Sequence, residues 1–365
     1  MKTITPVPSL PKGDQKISDN RDPMQIKLGD SYIGSGNPTY MIAEMSANHG
    51  GDIERAIDMI HAAKEAGANA IKLQTYTADT LTLDCQNPPF YISKGPWKGQ
   101  TLYNLYKSAY TPWEWYPLLK EIADKIGISI FSTPFDESAI DFLVKMECPA
   151  FKIASHELID HALIKKAALT GKPLIISTGK ATLSEIDEAV RVARAQVPQN
   201  LILLKCTSSY PAPPEDMNLR TIPHLQDCFG LPVGLSDHTK GIGTSIAAVA
   251  LGACMIEKHF ILDRKLETPD SFFSLIPEEF KSMTDEIRSV ERALGSVKYE
   301  TELDLSRRGL WAYRDIKAGE KISNENVKSL RPGGGILPSF LPMIKGKRIK
   351  CDLVKGSPIL WEHIE

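Results

Sequence analysis

The chain has 365 residues, of which 42% are hydrophobic and 24% charged, and its formal net charge is −2. This length suits a barrel domain of about 250 residues followed by one small domain. The balanced charge argues against a nucleic-acid partner and against an anionic membrane surface. No apolar run approaches the ~18 residues that a membrane-spanning helix requires.

The N-terminal segment and the cysteines indicate the cellular compartment of the protein. Residues 1–22 contain Lys, Pro and Asp but no continuous apolar stretch, so we expect a disordered extension and not a secretory signal. The six cysteines are scattered and form no C-x-x-C pair. Reduced thiols are the simplest account of this pattern, and they predict a cytoplasmic protein.

Eight short apolar segments alternate with segments of helical periodicity. These predicted strands are residues 40–44, 70–74, 129–133, 151–155, 174–178, 201–207, 233–238 and 255–259. Strand–helix alternation predicts a parallel sheet, and eight repeats favour closure over an open sheet. No G-x-G-x-x-G follows the first strand, which argues against a dinucleotide site. We therefore predict a (β/α)8 TIM barrel over residues 23–295.

The predicted strands have apolar bodies and polar C-terminal ends. Barrels of this kind build their active sites at that end, from several strands together. The polar side chains at or just beyond the strand ends are Glu44, Lys72, Gln74, Thr133, Lys152, Ser155, Ser177, Thr207, Ser208, His238 and His259. We therefore expect acidic groups, basic groups, amines and possible metal ligands to lie together at the open end of the barrel that the C-terminal strand ends form, here called the mouth.

Two histidines close the seventh and eighth predicted strands, which are neighbours around a barrel. His238 and His259 could supply half of a divalent metal site, with Asp237 orienting one of them. With no cysteine expected nearby and oxygen donors to complete the shell, Mn²⁺ or Mg²⁺ suits the site better than structural zinc. The alternative is a hydrogen-bonded histidine pair in the core, one of them a general base.

The other charged groups allow more than one role. Lys72 and Lys152, with the neighbouring hydroxyls, suit a small substrate that carries a phosphate and a carboxylate. Alternatively, one lysine forms a Schiff base, as in barrel aldolases. Glu44 could hold a sugar hydroxyl or act as an acid or base. Arg331, before Pro332, is either a solvated loop residue or a contact to substrate.

Residues 75–112 form a connection much longer than the ~12–15 residues usual in compact domains. The segment is rich in aromatic residues, which disfavours disorder. We predict a partly ordered lid over the barrel mouth, the alternative being padding against the outer helices.

The last part of the chain has short apolar pieces separated by Gly- and Pro-containing turns. This texture predicts a small β-rich domain over residues 309–365, after a polar linker at residues 296–308. A domain of about 60 residues is marginally stable alone, so we expect it to pack on the barrel or on a partner chain.

Nine ordered motifs resemble the sialic acid synthase family, whose members are phosphoenolpyruvate-dependent nonulosonate synthases. The likeness runs from about residue 40 to residue 364. The motifs are A-E…N-H at residues 43–49, K-L-Q at 72–74, F-S-T-P-F at 131–135, F-K-I-A-S at 151–155, S-T-G at 177–179, Y-P-A-P at 210–213, G-L-S-D-H-T at 234–239, E-K-H-F at 257–260 and R-P-G at 331–333.

The resemblance implies a TIM barrel with a C-terminal antifreeze-like (SAF) domain and a transferase that condenses phosphoenolpyruvate with an amino sugar. It implies catalytic roles for Glu44, His238 and His259, the two histidines holding Mn²⁺, Mg²⁺ or Co²⁺. The residues that it places on phosphoenolpyruvate are Lys72, Thr133, Lys152, Ser155, Ser177 and Ser208. Those that it places on the sugar are Gln74, Glu157, Tyr210, Asp270 and Arg331.

Within the family, Ser46 and the pattern of residues 101–115 are similar to the branch that makes pseudaminic acid from 2,4-diacetamido-2,4,6-trideoxy-L-altrose. Ser208 stands where neuraminate synthases carry Asn, which suits a changed sugar pocket. The alternatives are an N-acetylneuraminate or legionaminate synthase. The resemblance also implies a homodimer that swaps its C-terminal domain and brings Arg331 into the partner's mouth; the alternative is a domain folded back on its own barrel.

Two readings lie outside the family's chemistry. One is the Schiff-base aldolase on the same barrel. The other is a non-catalytic module, because the C-terminal domain resembles an ice-binding protein. The intact set of nine motifs, most of them in the barrel, argues against this second interpretation.

Overall fold

Eight parallel strands close into a barrel, in a computed structural model that describes residues 25–299 and 306–365. The strands are β1 (Tyr40–Glu44), β2 (Ala70–Thr75), β3 (Ser129–Pro134), β4 (Phe151–Ile153), β5 (Leu174–Ser177), β6 (Leu201–Cys206), β7 (Val233–Asp237) and β8 (Met255–His259). Each strand pairs with its neighbours in chain order, and β8 pairs with both β7 and β1. The predicted (β/α)8 barrel is confirmed.

Eight helices connect or follow the strands. They are α1 (Ile53–Glu65), α2 (Tyr116–Ile126), α3 (Glu137–Lys145), α4 (His161–Leu169), α5 (Leu183–Arg194), α6 (Thr221–Phe229), α7 (Gly243–Ala250) and α8 (Pro277–Leu294). No described helix, over residues 25–299 and 306–365, is long and apolar enough to cross a membrane.

Local sequence signals begin and end these helices. The α5 helix follows Thr182, whose hydroxyl accepts from the amide of Glu185 while the Glu185 carboxylate accepts from the amide of Thr182. This reciprocal cap satisfies amide groups that the helix itself leaves unpaired. The α2 helix ends at Gly127, which has a φ of 71°, a conformation that glycine adopts without steric cost.

Strand register brings distant charged residues side by side. Glu44 at the end of β1 lies opposite Lys72 on β2 and opposite His259 on β8. Lys258 on β8 lies opposite Asp237 on β7. Because successive residues of a strand point to opposite faces, the side chains of Lys258 and His259 lie on different sides of the barrel wall.

Four predicted strands end earlier than the sequence indicates. The strand predicted to end at Ser155 stops at Ile153, and Ser155 lies in a 3₁₀ turn, Ser155–Glu157. The strands predicted to end at Thr178, Thr207 and His238 stop at Ser177, Cys206 and Asp237. Each of these polar residues therefore lies just beyond the end of its strand.

Two features of the part of the chain that forms the barrel lie outside the strand–helix repeat. A short antiparallel hairpin, Ile26–Leu28 with Ser31–Ile33, precedes β1. Residues 75–112 contain two helices, Ala78–Leu81 and Leu102–Ala109, and a bridge between Tyr91 and Thr101. We call residues 75–112 the lid.

The chain divides into two units, Met1–Gly295 and Ser296–Glu365. The second unit has its own apolar core, which includes Leu310, Ile336 and Ile359. Its strands Gly309–Ala312 (β9) and Val327–Leu330 (β10) form an antiparallel pair. The predicted N-terminal extension, and residues 300–305 of the predicted linker, lie outside the described residues.

Candidate active site

A cavity of about 540 Å³ opens at the C-terminal ends of the barrel strands. Most of the residues that the sequence predicts for the site line it together. These are Glu44, Lys72, Gln74, Thr133, Lys152, Ser155, Glu157, Ser208, Tyr210, His238, His259 and Asp270. Several lid residues line the same cavity, which confirms that the lid covers the mouth.

Buried carboxylates and lysines alternate across the floor of the cavity. The Lys72 ammonium lies 2.6 Å from a Glu44 carboxylate oxygen and 3.7 Å from one of Glu257. The other Glu257 oxygen lies 3.2 Å from the Lys152 ammonium. The Lys72 ammonium also donates to the Thr133 hydroxyl, at 3.1 Å. The floor thus holds two cations, each already paired with a carboxylate.

The two floor carboxyl groups differ in acidity. Burial acts to raise the pKa of Glu257, but Lys152 and Lys72 outweigh burial and lower it to about 2. Burial raises the pKa of Glu44, and Lys72 offsets this only in part. Burial also acts to lower the pKa of Lys152, but Glu257, Cys206 and Glu44 together outweigh burial, so this pKa is raised. Glu257 therefore keeps its charge, and Glu44 is the carboxyl group suited to exchange a proton.

A chain of hydrogen bonds links Glu44 to Asp270 at the side of the cavity. The Gln74 amide donates to Glu44, at 2.9 Å, and to the Ser46 hydroxyl, at 3.0 Å. That hydroxyl in turn donates to Asp270, at 2.6 Å. Ser46 holds this position with a φ of 46°, which is uncommon for a residue with a side chain. Uncommon backbone conformations of this kind persist where the surrounding contacts hold the residue in place, and they are frequent at functional sites.

His238 and His259 face each other with ring centroids 5.3 Å apart. Nδ1 of His238 lies 3.0 Å from the Thr207 carbonyl oxygen, so this nitrogen carries the proton and Nε2 is free to coordinate. Nδ1 of His259 is buried without a hydrogen-bond partner among the described residues, 3.7 Å from an Asp270 carboxylate oxygen. Burial and the nearby His238 lower the pKa of His259 well below its usual value, which keeps the ring neutral.

These donors fit half of a divalent metal site. Neutral imidazoles and a carboxylate are ligands that Mn²⁺, Mg²⁺ and Co²⁺ accept. In residues 25–299 and 306–365 no group of three or more His, Cys, Asp or Glu side chains is arranged to hold an ion. Substrate and water oxygens would therefore have to complete the shell. The expectation that no cysteine lies nearby is wrong, because the chain folds Cys206 to 3.9 Å from Nδ1 of His238.

Hydroxyl groups cluster around a close backbone turn on another side of the cavity. The amide of Gly179 donates to the Ser155 hydroxyl, at 3.0 Å. A Cβ atom at position 179 would lie 2.7 Å from that hydroxyl and would also collide with the Ser208 hydroxyl, so only glycine fits. Ser177 does not line the cavity; its hydroxyl is buried without a hydrogen-bond partner among the described residues.

Aromatic rings cover the histidines. The Tyr210 ring lies 4.4 Å from His238, and the lid residue Trp97 lies 6.0 Å from Tyr210. Phe273 lies 4.7 Å from His259. These rings restrict water around the histidines, which strengthens every electrostatic interaction there.

Sequence profiles of known families match both parts of the chain. The NeuB family profile matches residues 59–299, and the SAF domain profile matches residues 307–365. The chain belongs to the NeuB family. The predicted membership in the sialic acid synthase family and the predicted C-terminal SAF domain are both confirmed.

Individual NeuB family relatives resemble almost the full chain. A pseudaminic acid synthase of Campylobacter jejuni is 45% identical over 325 residues, which is 88% of this chain and 95% of the relative. An N,N'-diacetyllegionaminic acid synthase of Legionella pneumophila is 41% identical, over 91% and 96%. The crystal structure of an N-acetylneuraminic acid synthetase from Leptospira borgpetersenii in complex with citrate has a TM-score of 0.69 and 37% identity, covering 77% of this chain and 93% of that one.

One functional residue of this NeuB family site was missed by sequence reasoning. Glu257 contacts both floor lysines and accepts from the Ser236 hydroxyl, at 2.9 Å. Its position two residues before His259 is a usable signal, because residues i and i+2 of a strand share a face.

Arg331 is an exposed residue of the second unit. Its predicted contact with the sugar therefore stays a prediction.

Proposed function

We propose that this NeuB family enzyme is a pseudaminic acid synthase. It condenses phosphoenolpyruvate and water with 2,4-diacetamido-2,4,6-trideoxy-L-altrose, and it releases pseudaminic acid and phosphate by cleavage of a C–O bond. The observation that carries this proposal is the cavity floor, where Lys72 and Lys152 are each paired with a carboxylate close to His238 and His259. The 45% identity to a pseudaminic acid synthase over 88% of the chain supports the choice of sugar. The 41% identity to a legionaminate synthase favours that activity less.

The proposed reaction starts with phosphoenolpyruvate held on the floor and the hydroxyl cluster. Lys72 and Lys152 offset the negative charge of its phosphate and carboxylate, while Thr133, Ser155 and Ser208 donate hydrogen bonds. The contact that the resemblance implies for Ser177, which does not line the cavity, stays a prediction. Charge-assisted contacts of this kind bind anions more strongly than neutral ones. The open-chain sugar lies above, against Gln74, Glu157, Tyr210 and Asp270, with Arg331 expected from the partner subunit.

Carbon–carbon bond formation then joins the two substrates. C3 of phosphoenolpyruvate attacks the aldehyde carbon of the sugar, and the aldehyde oxygen takes up a proton. Water adds at C2, and the bond between C2 and the phosphate oxygen breaks, releasing phosphate. His238 and His259 would hold a divalent cation (Mn²⁺, Mg²⁺ or Co²⁺), which when bound supplies Lewis-acid polarisation of the aldehyde.

Glu44 is the proposed acid–base group. Its raised pKa and its contacts with Gln74 and Lys72 support a role for Glu44 as the group that exchanges a proton with the substrates. General acid–base groups of this kind contribute about 10²–10⁴-fold to a rate. Glu257 is proposed to orient both lysines, because each lies within 4 Å of its carboxylate.

A phosphate-release assay tests the proposed function. Phosphoenolpyruvate is supplied with each of three sugars, 2,4-diacetamido-2,4,6-trideoxy-L-altrose, N-acetylmannosamine and the legionaminate precursor. We expect the altrose derivative to give the highest kcat/KM. A higher kcat/KM with either other sugar would move the enzyme to another branch of the family, and no phosphate release with any sugar would exclude the synthase reaction.

Lys72 and Lys152 are predicted to bind the negatively charged groups of phosphoenolpyruvate and not to form an imine with a substrate. A Schiff-base lysine must be a neutral amine, whereas Lys152 has a raised pKa beside Glu257. Losing one charge-assisted contact costs roughly 1.5–3 kcal/mol, so Lys72→Met or Lys152→Met should raise the KM for phosphoenolpyruvate about tenfold or more. Lys166→Met, at an exposed ion pair on the outer surface, is the control. A covalent adduct at Lys72 or Lys152 after borohydride treatment with substrate would favour the aldolase.

We further propose a dimer that exchanges its SAF domains in the cytoplasm. The segment between Gly295 and Leu310 is polar and charged, and about 15 extended residues reach about 50 Å, enough to cross to a neighbouring barrel. Exchange of an identical element is a low-cost route to a two-fold dimer. Arg331 of one chain would then complete the site of the other.

Mixing two inactive variants tests the exchange. His238→Ala and Arg331→Ala should each be inactive alone. In a co-refolded, exchanged heterodimer one site carries both defects and the other carries neither, so about a quarter of wild-type activity should return in an equal mixture. Mixed dimers without any recovered activity would indicate that each SAF domain serves its own barrel.

A further inference from the structure

The lid gives the cavity a hydrocarbon wall. Five lid side chains that line the cavity contain no polar atom: Leu81, Ile92, Leu102, Leu105 and Ala109. The charged groups of the cavity come mainly from the barrel strands and the loops that follow them. The lid also contributes Tyr76, Trp97 and Tyr106 to the lining. A molecule in the cavity therefore meets charges and hydroxyl groups at the floor, and mainly carbon atoms with a few polar groups on the lid side.

Hydrogen bonds to the barrel hold the lid in place. The Trp97 indole donates to the carbonyl oxygen of Pro269, at 3.0 Å, beside Asp270. The Trp113 indole donates to the carbonyl oxygen of Tyr76, at 3.1 Å. At the end of the lid, the Thr111 hydroxyl lies 3.1 Å from Nε2 of buried His49. Anchors at the middle and at both ends fix the wall in front of the mouth.

The direction of the sugar follows from the position of the reacting groups. The aldehyde carbon, C1, must lie near the histidines and floor lysines at the strand ends. An open-chain sugar then extends away from the floor, so that C6, its far end, is the carbon that reaches the lid. The proposed substrate carries a methyl group at C6, where common amino sugars carry a hydroxymethyl group.

We propose that the lid wall is the element that selects a 6-deoxy sugar, by packing against its C6 methyl group. This inference rests on the proposed synthase function. A methyl group gains free energy when it leaves water for an apolar wall. A hydroxyl group at the same place loses its water and finds no partner on the five hydrocarbon side chains. Apolar pockets reject an added hydroxyl group by about 10²-fold at most, so the preference should be about 10- to 100-fold.

The test compares kcat/KM for two sugars that differ only at C6. They are 2,4-diacetamido-2,4,6-trideoxy-L-altrose and its 6-hydroxy counterpart, each with phosphoenolpyruvate. The variants Ile92→Thr and Leu102→Asn place a polar group on the wall. Both should lower kcat/KM for the deoxy sugar and bring the ratio toward one, with the KM for phosphoenolpyruvate unchanged. Leu83→Asn is the matched control, because Leu83 belongs to the lid but is 62% exposed and does not line the cavity.

The outcomes distinguish failure of this inference from failure of the proposed synthase function. If the wild-type protein uses both sugars equally, or if both wall variants keep the wild-type ratio and thermal midpoint, the lid does not select the methyl group although the synthase reaction stands. If neither sugar supports phosphate release, the proposed function fails and the inference fails with it. A ratio that falls in Ile92→Thr and Leu102→Asn but not in Leu83→Asn supports the inference.

Discussion

Removal of divalent metal is expected to abolish phosphate release, and Mn²⁺, Co²⁺ or Mg²⁺ should restore it. The physical reason is the pair of rings 5.3 Å apart, with a buried His259 nitrogen that has no partner among the described residues. Burial also lowers the pKa of His259, so its ring is neutral and available as a ligand at physiological pH. His238→Ala and His259→Ala should each lose most of the activity.

Metal content gives a second measurement that does not depend on turnover. Each variant, loaded with Mn²⁺ and desalted, should retain much less metal than the wild-type protein. His161→Ala is the control, because His161 is a half-exposed helix residue, 4.0 Å from Glu188 on the outer surface. Full activity in a chelated, metal-free sample would disprove the metal site and favour the alternative of a hydrogen-bonded histidine pair.

Lys258→Met is expected to destabilise the barrel by about 3–5 kcal/mol, because removing one partner of a buried ion pair leaves an uncompensated charge. The Lys258 ammonium lies 2.9 Å from an Asp237 carboxylate oxygen, and both side chains are almost inaccessible to water. Burial lowers the pKa of Lys258, which Asp237 offsets in part. The lost stability is measured as the fall in the thermal midpoint of the barrel.

Two further variants separate the charge effect from a general loss of packing. Asp237→Asn combined with Lys258→Met removes both charges and should recover part of the stability. Lys281→Met removes an exposed pair with Asp285 and should change the stability by less than about 1 kcal/mol. If Lys258→Met were as stable as Lys281→Met, the buried pair would not be what holds β7 against β8.

This pair also explains how the two histidines are held apart at a fixed distance. Asp237 and Lys258 immediately precede His238 and His259, and their ion pair lies on the side of the sheet opposite to the cavity. Asp237 additionally accepts from the Ser245 hydroxyl, at 2.7 Å, and from the amide of Thr239, at 2.8 Å. We therefore expect Lys258→Met to weaken metal retention as well as stability.

The sequence alone predicted the barrel, its eight strands and most of the residues that line the mouth. Strand bodies such as residues 174–176 are contiguous apolar runs, and helix ends such as Gly127 are read from neighbouring residues. Such signals depend on only a few neighbouring residues, so they can be recognised without knowledge of the fold. The polar strand ends could be grouped because every parallel barrel brings its C-terminal strand ends to one face.

Only the tertiary structure decided which of these groups touch. The contacts of Glu257 with Lys72 and Lys152, the approach of Cys206 to His238 and the anchoring of Trp97 on Pro269 all join residues far apart in the chain. They depend on strand register and on closure of the barrel, where a shift of one residue would turn each side chain to the opposite face. Composition and periodicity carry no information about that register, and for this reason the paired charges of the floor and the hydrocarbon wall of the lid emerged only from the folded chain.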